Sequence, residues 1–449
     1  MRRDPLPGAG ADDPAADDLG VLRFMTCGSV DDGKSTLIGR LLHDSQALLA
    51  DTLDALARVS RQRGLAAPDL ALLTDGLLAE REQGITIDVA YRYFATPRRK
   101  FIIADSPGHE QYTRNMVTAA STADVAVLLV DARRGLQPQT RRHAAIATLL
   151  GVRELVLAVN KMDLVGGSRQ VFEAIVAEFR DWLARHPAQA AGRQPPAVHA
   201  VPLCALHGDM VAVRGDALPW YEGPTLLEVL EAAPAGHDEA LAQPLRLPVQ
   251  WVCRPAPGTA GAGARAYAGR VESGRLAVGD EVVLWPSGQR SHVATLAIGA
   301  TPLAQARAGQ SVTLTLADER DVSRGDVVLA AASADAGEDT AAPGGGTREL
   351  TATLCWLAQE SPAPGRSWVL RHLTRETAAR IEAFDSRLDV DELAWAPAPS
   401  APSLNDLVRA RLRTREPLCA APYARSRAAG SFILVDPATR ATVAAGLVE

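Results

Sequence analysis

The chain has few cysteines and few aromatic residues, and it lacks any long apolar run. Its five cysteines are an odd number, lie far apart and form no CxxC pair, which argues against a disulfide framework and against a zinc site. No run of 18 apolar residues is present, so no membrane-spanning segment is expected. The first 20 residues lack the apolar core of a signal peptide. Together these absences favour a cytoplasmic protein.

The rest of the composition is that of an ordinary folded protein. A length of 449 residues suggests about two to four domains, and an apolar content of 47% is ample for their cores. The net charge of −6 gives no sign of a dominant nucleic-acid-binding surface. We therefore expect neither a nucleic acid nor a membrane among the partners.

Apolar runs of strand length alternate with helical segments in the first half of the chain. The runs are almost entirely apolar, as expected of parallel strands buried on both faces: VLRFMTCG, RKFIIAD, VAVLLVD, ELVLAVN and HAVPLCA. This pattern predicts an α/β domain with a mostly parallel sheet over residues 21–238. A disordered tail is expected before it, at residues 1–20.

The pattern changes after about residue 240. Short strand-like runs that are interrupted by Gly, Pro or Ser predict a β-barrel domain at residues 244–333. A low-complexity stretch rich in Ala and Gly predicts a flexible linker at residues 334–347. A second β-barrel domain is expected at residues 348–449, with strands at ELTATLCWLAQ, SWVLRHLT, LNDLVRARLRT and GSFILVD.

A phosphate-binding loop follows the first apolar run. The stretch GSVDDGKS fits the pattern G-x-x-x-x-G-K-[ST], with a predicted strand before it and a helix after it. The loop amides and the helix N-terminus point at the phosphates. Lys34 is placed to reach the β and γ oxygens, and Ser35 to offer its hydroxyl to Mg²⁺. The predicted nucleotide-binding residues of this loop are Gly28, Ser29, Val30, Asp31, Asp32, Gly33, Lys34, Ser35 and Thr36.

The stretch LVLAVNKMDL predicts which base the nucleotide carries. A carboxylate at Asp163 can accept hydrogen bonds from the two donors on one edge of guanine, and it rejects adenine, which does not present them. Asn160 can contact the base and bridge to the phosphate loop, and the stem of Lys161 can lie over the ring. The nucleotide is therefore predicted to be GTP.

A second base-side element is expected in VPLCALHGD. In related GTPases a Ser-Ala pair at this place offers a backbone amide to guanine O6. This chain has Cys204, Ala205 and Leu206 instead, and the backbone amide survives the change from Ser to Cys. We assign these three residues to the base pocket.

Two further segments carry the expected chemistry. In FIIADSPGH, Asp105 ends an apolar run, where a second Mg²⁺ contact belongs, and Gly108 can bring its amide to the γ-phosphate. His109 is the candidate to orient the attacking water. In EREQGITID, Thr86 is placed to reach Mg²⁺ with its side chain and the γ-phosphate with its amide, which would make it a switch. The catalytic candidates are thus Lys34, Thr86 and His109, and the metal ligands Ser35, Thr86 and Asp105.

These motifs predict an α/β P-loop GTPase domain followed by two β-barrel domains. Their order also resembles that of the translation-factor GTPases. Longer stretches closely resemble the GTPase (large) subunits of bacterial sulfate adenylyltransferases, among them GSVDDGKSTLIGRLLHDS, DGLLAEREQGITIDVAYRYF and SGRLAVGDEVVLWPSG. The resemblance covers nearly the whole chain from about residue 20.

The resemblance implies the first step of sulfate activation, in which ATP and sulfate become adenosine 5′-phosphosulfate and pyrophosphate. In that family, GTP hydrolysis is coupled to adenylyl transfer on a small partner subunit that binds ATP and sulfate. The chain agrees in having no second phosphate loop and no HxGH or SGGxDS pattern. Some members carry a fused adenylylsulfate kinase, which we do not expect here because the chain ends after the second β-rich segment.

The main alternative is a translation elongation-factor-type GTPase that carries aminoacyl-tRNA, since both classes share the fold and the GTP site. The stretch from His43 to Gln83 fits the sulfate-activation branch, and the last domain shows no obvious basic-aromatic face. A regulatory GTPase without an enzymatic partner is a third alternative. We favour the first.

Overall fold

The protein is described from a computed structural model. The described residues are 20–45, 56, 58, 60–61, 70–73, 89–107, 113–185, 195–234, 237–254, 263–331, 346–363, 365–390, 392–398 and 400–449. The predicted tail, except residue 20, and the predicted linker, except residues 346 and 347, lie outside them. So do Thr86, Gly108 and His109.

The first part of the chain forms one six-stranded sheet. Its strands are β1 (Val21–Gly28), β2 (Ala90–Ala95), β3 (Lys100–Asp105), β4 (Val125–Asp131), β5 (Glu154–Asn160) and β6 (Ala197–Pro202). They lie in the order β2-β3-β1-β4-β5-β6, and all neighbours are parallel except the edge strand β2, which pairs antiparallel with β3. Every residue of β4 is buried, which explains its wholly apolar sequence up to the terminal Asp131.

The α-helices with described bounds in this part of the chain are α1 (Lys34–Asp44), α2 (Thr113–Thr122), α3 (Pro138–Leu149), α4 (Arg169–Ala184), α5 (Leu226–Ala232) and α6 (His237–Ala242). Their starts follow local rules. Pro138 opens α3, where its missing N–H costs nothing. Thr225 and Glu228 form a capping box at the start of α5. Within the residues described, no helix is long and apolar enough to cross a membrane.

The parallel strands bring their carboxyl ends to one edge of the sheet. In the register, Thr26 of β1 lies opposite Asp105 of β3, and Asp131 of β4 lies opposite Asn160 of β5. Polar residues that follow apolar runs in the sequence are therefore neighbours in space. Ligands of open α/β sheets bind at this edge.

The middle part of the chain is an antiparallel β structure. Its strands are β7 (Arg246–Pro248), β8 (Trp251–Cys253), β9 (Ala266–Arg270), β10 (Arg275–Ala277), β11 (Glu281–Trp285), β12 (Gln289–Ile298), β13 (Thr301–Leu303), β14 (Gln305–Arg307), β15 (Ser311–Leu316) and β16 (Val327–Ala330). The main sheet has the order β7-β16-β11-β12-β15-β9-β8, with β13 paired to β12. Strands β10 and β14 form a separate pair.

The last part of the chain closes into a barrel. Its strands are β17 (Thr347–Trp356), β18 (Ser367–His372), β19 (Arg375–Asp389), β20 (Ala394–Pro397), β21 (Leu407–Leu418), β22 (Ser431–Val435) and β23 (Thr442–Val448), with a short helix α7 (Arg427–Gly430). The order β18-β22-β23-β17-β21-β19 is closed by pairing of β19 with β18, and β20 extends β19. The predicted fold class is confirmed.

This barrel contacts the first part of the chain at the ends of two helices. The hydroxyl of Tyr423 donates to the carbonyl of Leu150 at 2.7 Å, just after α3. The guanidinium of Arg427 donates to the carbonyl of Ala123 at 3.0 Å, just after α2, and to that of Gly151. A cation at a helix C-terminus is electrostatically favourable.

Within the first domain, the buried Arg99 also donates to carbonyls at the C-terminal end of a helix. Arg99 is 4% exposed, and its guanidinium donates to the carbonyls of Leu230, Glu231 and Ala233 at the end of α5. Arg99→Met would leave these carbonyls without their charged donor, so we expect the free energy of unfolding to fall by about 2–3 kcal/mol. Urea titration of the purified variant measures it.

The neighbouring Arg98 provides the matched control. Its side chain is 63% exposed and makes a 3.4 Å ion pair with Glu231. Such surface pairs contribute about 0–1 kcal/mol, so Arg98→Met should change the urea midpoint little. Equal losses in the two variants would show that the carbonyl contacts of Arg99 do not stabilise the fold.

Candidate nucleotide-binding site

The phosphate loop turns from β1 into α1 at the carboxyl edge of the sheet. Gly28, the last residue of β1, has a φ of 148°, and a Cβ there would lie 2.7 Å from the carbonyl oxygen of Leu129. Gly33, before α1, has a φ of 98°, and a Cβ there would collide with the side-chain amide of Asn160. Both positions therefore require glycine, for the backbone angle and for space.

Lys34 places a buried cation in this loop. Its Nζ donates to the carbonyls of Gly28 at 3.1 Å and Ser29 at 2.8 Å, and the residue is 8% exposed. Burial lowers the pKa of its ammonium, while Asp105 and Asp32 oppose that change. A bound phosphate would add the negative charge that this partly desolvated cation favours.

The loop also contains polar atoms without protein partners. The Ser29 N–H donates to Asp32 Oδ2 at 2.6 Å, and burial raises the pKa of Asp32. The other carboxylate oxygen, Asp32 Oδ1, and the hydroxyl of Ser29 are buried without a hydrogen-bond partner among the described residues. Buried polar atoms of this kind call for water or a ligand.

Asp105 is fixed at the end of β3. It is 1% exposed, and its Oδ1 accepts a 3.1 Å hydrogen bond from the hydroxyl of Thr26. The next residue, Ser106, donates its own hydroxyl to the Thr26 carbonyl at 2.5 Å. A carboxylate here and a hydroxyl at Ser35 are oxygen donors of the kind that Mg²⁺ prefers. These residues fit the ion that the sequence predicts.

Asn160 connects the phosphate loop to the base loop. Its Nδ2 donates to the Asp32 carbonyl at 2.8 Å, and its Oδ1 accepts from the Ala205 N–H at 3.0 Å. The amide of Ala205 is thus engaged by Asn160. Donation of an amide of this loop to guanine O6 stays a prediction.

Asp131 and Arg133 form an ion network with Lys161, and of these three residues only the lysine was predicted from the sequence. Asp131, fully buried at the end of β4, accepts from Arg133 Nη2 at 2.6 Å and lies 3.0 Å from Lys161 Nζ. The Arg133 guanidinium holds the pKa of Asp131 well below its usual range. Lys161, with a φ of 61°, also donates to the Asp31 carbonyl. The sequence signal that could have revealed this network is Asp131 itself, a polar residue at the end of the apolar run VAVLLVD.

His143 is a second residue that the motifs do not reveal. It is fully buried on α3, and its Nδ1 accepts from the Gly28 N–H at 3.2 Å. The side-chain amide of Gln139 lies 2.9 Å from its Nε2. Burial and, to a smaller extent, the charge of Lys34 lower the pKa of His143 to about 3. The ring is therefore neutral and can accept the hydrogen bond from the phosphate loop at Gly28.

The predicted base-side residues lie together. Asp163 is exposed and lies next to the buried Cys204, with a carboxylate oxygen and the thiol sulfur within 4.8 Å of each other. Arg40 of α1 donates to the carbonyls of Ala205 at 3.3 Å and Leu206 at 2.5 Å, which holds this loop against the first helix. The structure therefore gathers the phosphate loop, Asp105, Asn160, Lys161, Asp163 and the 204–206 loop at one edge. The assignments of Thr86, Gly108 and His109 stay predictions.

Two family models match most of the chain. Residues 20–235 match the family model of the elongation factor Tu GTP-binding domain, and residues 349–449 match the GTP-eEF1A C-terminal domain-like model. The solved structure of Sup35 complexed with GDP is 24% identical, with a TM-score of 0.41, over 98% of this chain and 96% of that one. Fold and sequence motifs define a GTP-binding protein of the translation-factor GTPase superfamily.

Curated relatives narrow the class. Sulfate adenylyltransferase subunit 1 of Aeromonas hydrophila is 47% identical over 430 residues, which are 95% of this chain and 86% of that protein. The bifunctional enzyme CysN/CysC of Mycobacterium tuberculosis is 49% identical over 429 residues, which are 95% of this chain and 67% of that protein. The chain belongs to the sulfate adenylyltransferase subunit 1 family. The names of these relatives agree with the resemblance to sulfate adenylyltransferase subunits that the sequence shows, and they do not support the alternative of an elongation factor.

The buried neutral His143 predicts a pH dependence of stability. Its pKa is lower in the folded state, about 3, than its ordinary value of 6.5, so stability is lost as the pH falls below 6.5. At pH 5 this one group should cost about 2 kcal/mol relative to neutral pH. Asn does not titrate in this range and keeps an acceptor for the Gly28 N–H. Between pH 7.5 and 5, we therefore expect His143→Asn to lose about 2 kcal/mol less stability than the wild type.

Urea unfolding at both pH values measures this difference. His43→Asn is the control, because His43 is 44% exposed and bonds only at the surface. It should follow the wild type. If His143→Asn also followed the wild type, the imidazole would not be held neutral in the folded protein.

Proposed function

We propose that this chain is the GTPase subunit of a sulfate adenylyltransferase. GTP hydrolysis on this chain drives the conversion of ATP and sulfate to adenosine 5′-phosphosulfate and pyrophosphate. The observation that carries the proposal is the Asn160 bridge, because it joins the phosphate loop and the guanine loop into one site. Membership of the subunit 1 family supplies the reaction in which that site takes part.

In this proposal, the phosphate loop at residues 28–36 binds the triphosphate. Lys34, already buried and oriented by two loop carbonyls, turns its charge to the β and γ oxygens. Ser35 and Asp105 hold Mg²⁺, with Thr86 as a third ligand in the triphosphate state. The ion supplies neutralisation of phosphate charge.

The base end reads guanine through Asp163, as the sequence predicts. Asn160 holds the base pocket in place by bonding the phosphate loop and the base loop. Lys161 is fixed by the carboxylate of Asp131 and the backbone carbonyl of Asp31. An amide of the Cys204–Leu206 loop is the proposed donor to guanine O6. Discrimination against adenine follows because the wrong base leaves buried polar groups unpaired.

Hydrolysis and coupling involve residues beyond the described ones. We assign His109 to orienting water and the amide of Gly108 to the γ-phosphate. Thr86 is the switch that distinguishes GTP from GDP. Coupling requires that the two nucleotide states bind the partner's reaction intermediates with different free energies.

The partner is a small adenylyl-transferring subunit that binds ATP and sulfate. The relatives from Aeromonas and Citrobacter are named subunit 1 of sulfate adenylyltransferase, which supports the existence of a second subunit. We infer a cytoplasmic location, which suits a chain whose five cysteines are all free. We assign no role to nucleic acid or to a membrane.

The deciding experiment measures GTP hydrolysis by the purified chain, alone and with the candidate small subunit, with and without ATP and sulfate. We expect slow turnover that rises only when the partner and both substrates are present. Stimulation by ribosomes without any response to ATP and sulfate would instead support an elongation factor.

Asp163→Asn should move the nucleotide preference from GTP to xanthosine triphosphate. Replacing the carboxylate removes two hydrogen bonds to a charged acceptor, so GTP affinity should fall roughly 10²- to 10⁴-fold. Competition binding with both nucleotides measures the change. Asp216→Asn, at an exposed position beyond the base loop, should bind GTP like the wild type. An unchanged GTP preference in Asp163→Asn refutes the assignment of the base reader.

Lys34→Ala should abolish GTP turnover, by about 10³-fold or more, because it removes the cation that contacts the transferred phosphate. Adenosine 5′-phosphosulfate should then accumulate only to the uncoupled equilibrium. The chain has three lysines, and the exposed Lys100 is the control, so Lys100→Ala should retain turnover. Continued accumulation beyond that equilibrium in Lys34→Ala would contradict the coupling.

A further inference from the structure

Three potential metal ligands meet at the base end of the site. The ligand atoms of Asp163, Cys204 and His207 all lie within 4.8 Å of one another. They comprise a carboxylate, a thiol and an imidazole, which are the three protein ligand types of Zn²⁺. Cys204 and His207 have the C-x₂-H spacing that lets one turn present two ligands, and Asp163 comes from the segment after β5.

The turn is built around the sulfur of Cys204. The backbone N–H groups of Leu206 and His207 lie on the sulfur side of the turn and act to lower the pKa of the thiol. Burial and the carboxylate of Asp163 act in the other direction and raise the pKa of the thiol to about 12. A divalent cation would reverse this balance, because metal binding displaces the thiol proton.

The geometry needs only small movements. Tetrahedral zinc separates its sulfur and nitrogen ligands by about 3.5 Å, so atoms that already lie within 4.8 Å of one another need to approach by at most about 1 Å. Cys204 is 4% exposed and lies in a turn that Arg40, Asn160 and a 2.8 Å bond from the Gly208 N–H hold in place. Asp163 and His207 are exposed, and their side chains can rotate toward the fixed sulfur.

We propose that Asp163, Cys204 and His207 bind a soft divalent cation of the Zn²⁺ class and that this binding excludes guanine. The exclusion rests on the proposed function, in which Asp163 is the acceptor for the base. One carboxylate and one thiolate balance the charge of the cation, and solvent completes the tetrahedron. Mg²⁺ does not compete, because it prefers hard oxygen ligands and avoids thiolate. The chain is thus a GTPase that loses its nucleotide when zinc is available.

The ligands are tested on the nucleotide-free full chain with Co²⁺ as the probe. Wild type should develop thiolate-to-cobalt charge-transfer absorption with tetrahedral d–d bands. Cys204→Ser should lose the charge-transfer band, whereas Cys253→Ser, which changes a cysteine in β8, should keep it. His207→Ala should weaken Co²⁺ binding at least about tenfold, since even an outer-shell partner of a metal ligand is worth that much. A band that persists in Cys204→Ser overturns the site.

The exclusion is tested by GTP binding at constant Mg²⁺ with increasing buffered Zn²⁺. For wild type, zinc at 100 times its dissociation constant should raise the apparent dissociation constant of GTP about 100-fold, as simple competition requires. His207→Ala should bind GTP normally without zinc and respond to zinc at least about tenfold less. Equal responses in both proteins would place the zinc effect at the phosphates and refute the exclusion.

Failure of the proposed function is distinguishable from failure of the metal site. If the folded wild type binds no GTP even without zinc, the GTPase assignment is wrong and the exclusion with it. The cobalt absorption of the nucleotide-free chain is independent of GTP. The Cys204→Ser spectrum therefore still decides whether the three residues are metal ligands.

Discussion

The side-chain amide of Asn160 makes one bond to each end of the candidate site, and the geometry of the whole site depends on that pair. Its nitrogen donates to the phosphate loop and its oxygen accepts from the base loop. The residue is held in turn by β5, which pairs with β4 on one side and β6 on the other. The Asn160 amide bonds both loops, and its backbone is fixed at the end of β5. The distance between the two loops is therefore set by the position of this strand in the sheet. A site whose two ends are fixed in this way pays little ordering cost when a ligand spans them.

Support for the site comes from several sequence positions that no motif contains. Asp131 orients Lys161, His143 meets the Gly28 N–H, and Arg40 secures the carbonyls of the base loop. Each acts through a neighbour rather than through the site itself. Loops shaped by such contacts hold their geometry because the supporting side chains are themselves buried or paired.

Sequence patterns predicted the elements that depend on local signals. The almost entirely apolar runs located β1, β3, β4 and β5, and the motifs at their ends placed the site residues on one edge. Strand β19 was missed, because RETAARIEAFDSRLD is rich in helix formers and two register shifts interrupt its alternation. Strand β2 is not among the apolar runs, because its sequence AYRYFA alternates exposed residues such as Tyr91 and Tyr93 with less exposed ones. His143 gave no signal, since its contact with Gly28 spans 115 residues.

The absence of CxxC pairs shows a second limit of sequence patterns. That absence excludes metal sites built from closely spaced pairs of cysteines. It says nothing about a cysteine whose carboxylate neighbour lies on another strand end, as Asp163 does for Cys204. Parallel strands make such combinations common, because each contributes its terminal residues to the same edge.

The bonds from Tyr423 and Arg427 connect the last barrel to two helices of the first domain. They attach it to the carbonyls that follow α2 and α3, at the ends of these helices remote from the phosphate side. Helix α2 begins shortly after the Asp105 segment and extends about 15 Å over its ten residues. A helix of this length behaves as a stiff rod. A displacement of its first turn would therefore also move the carbonyl of Ala123 beyond its last turn, to which Arg427 bonds the barrel.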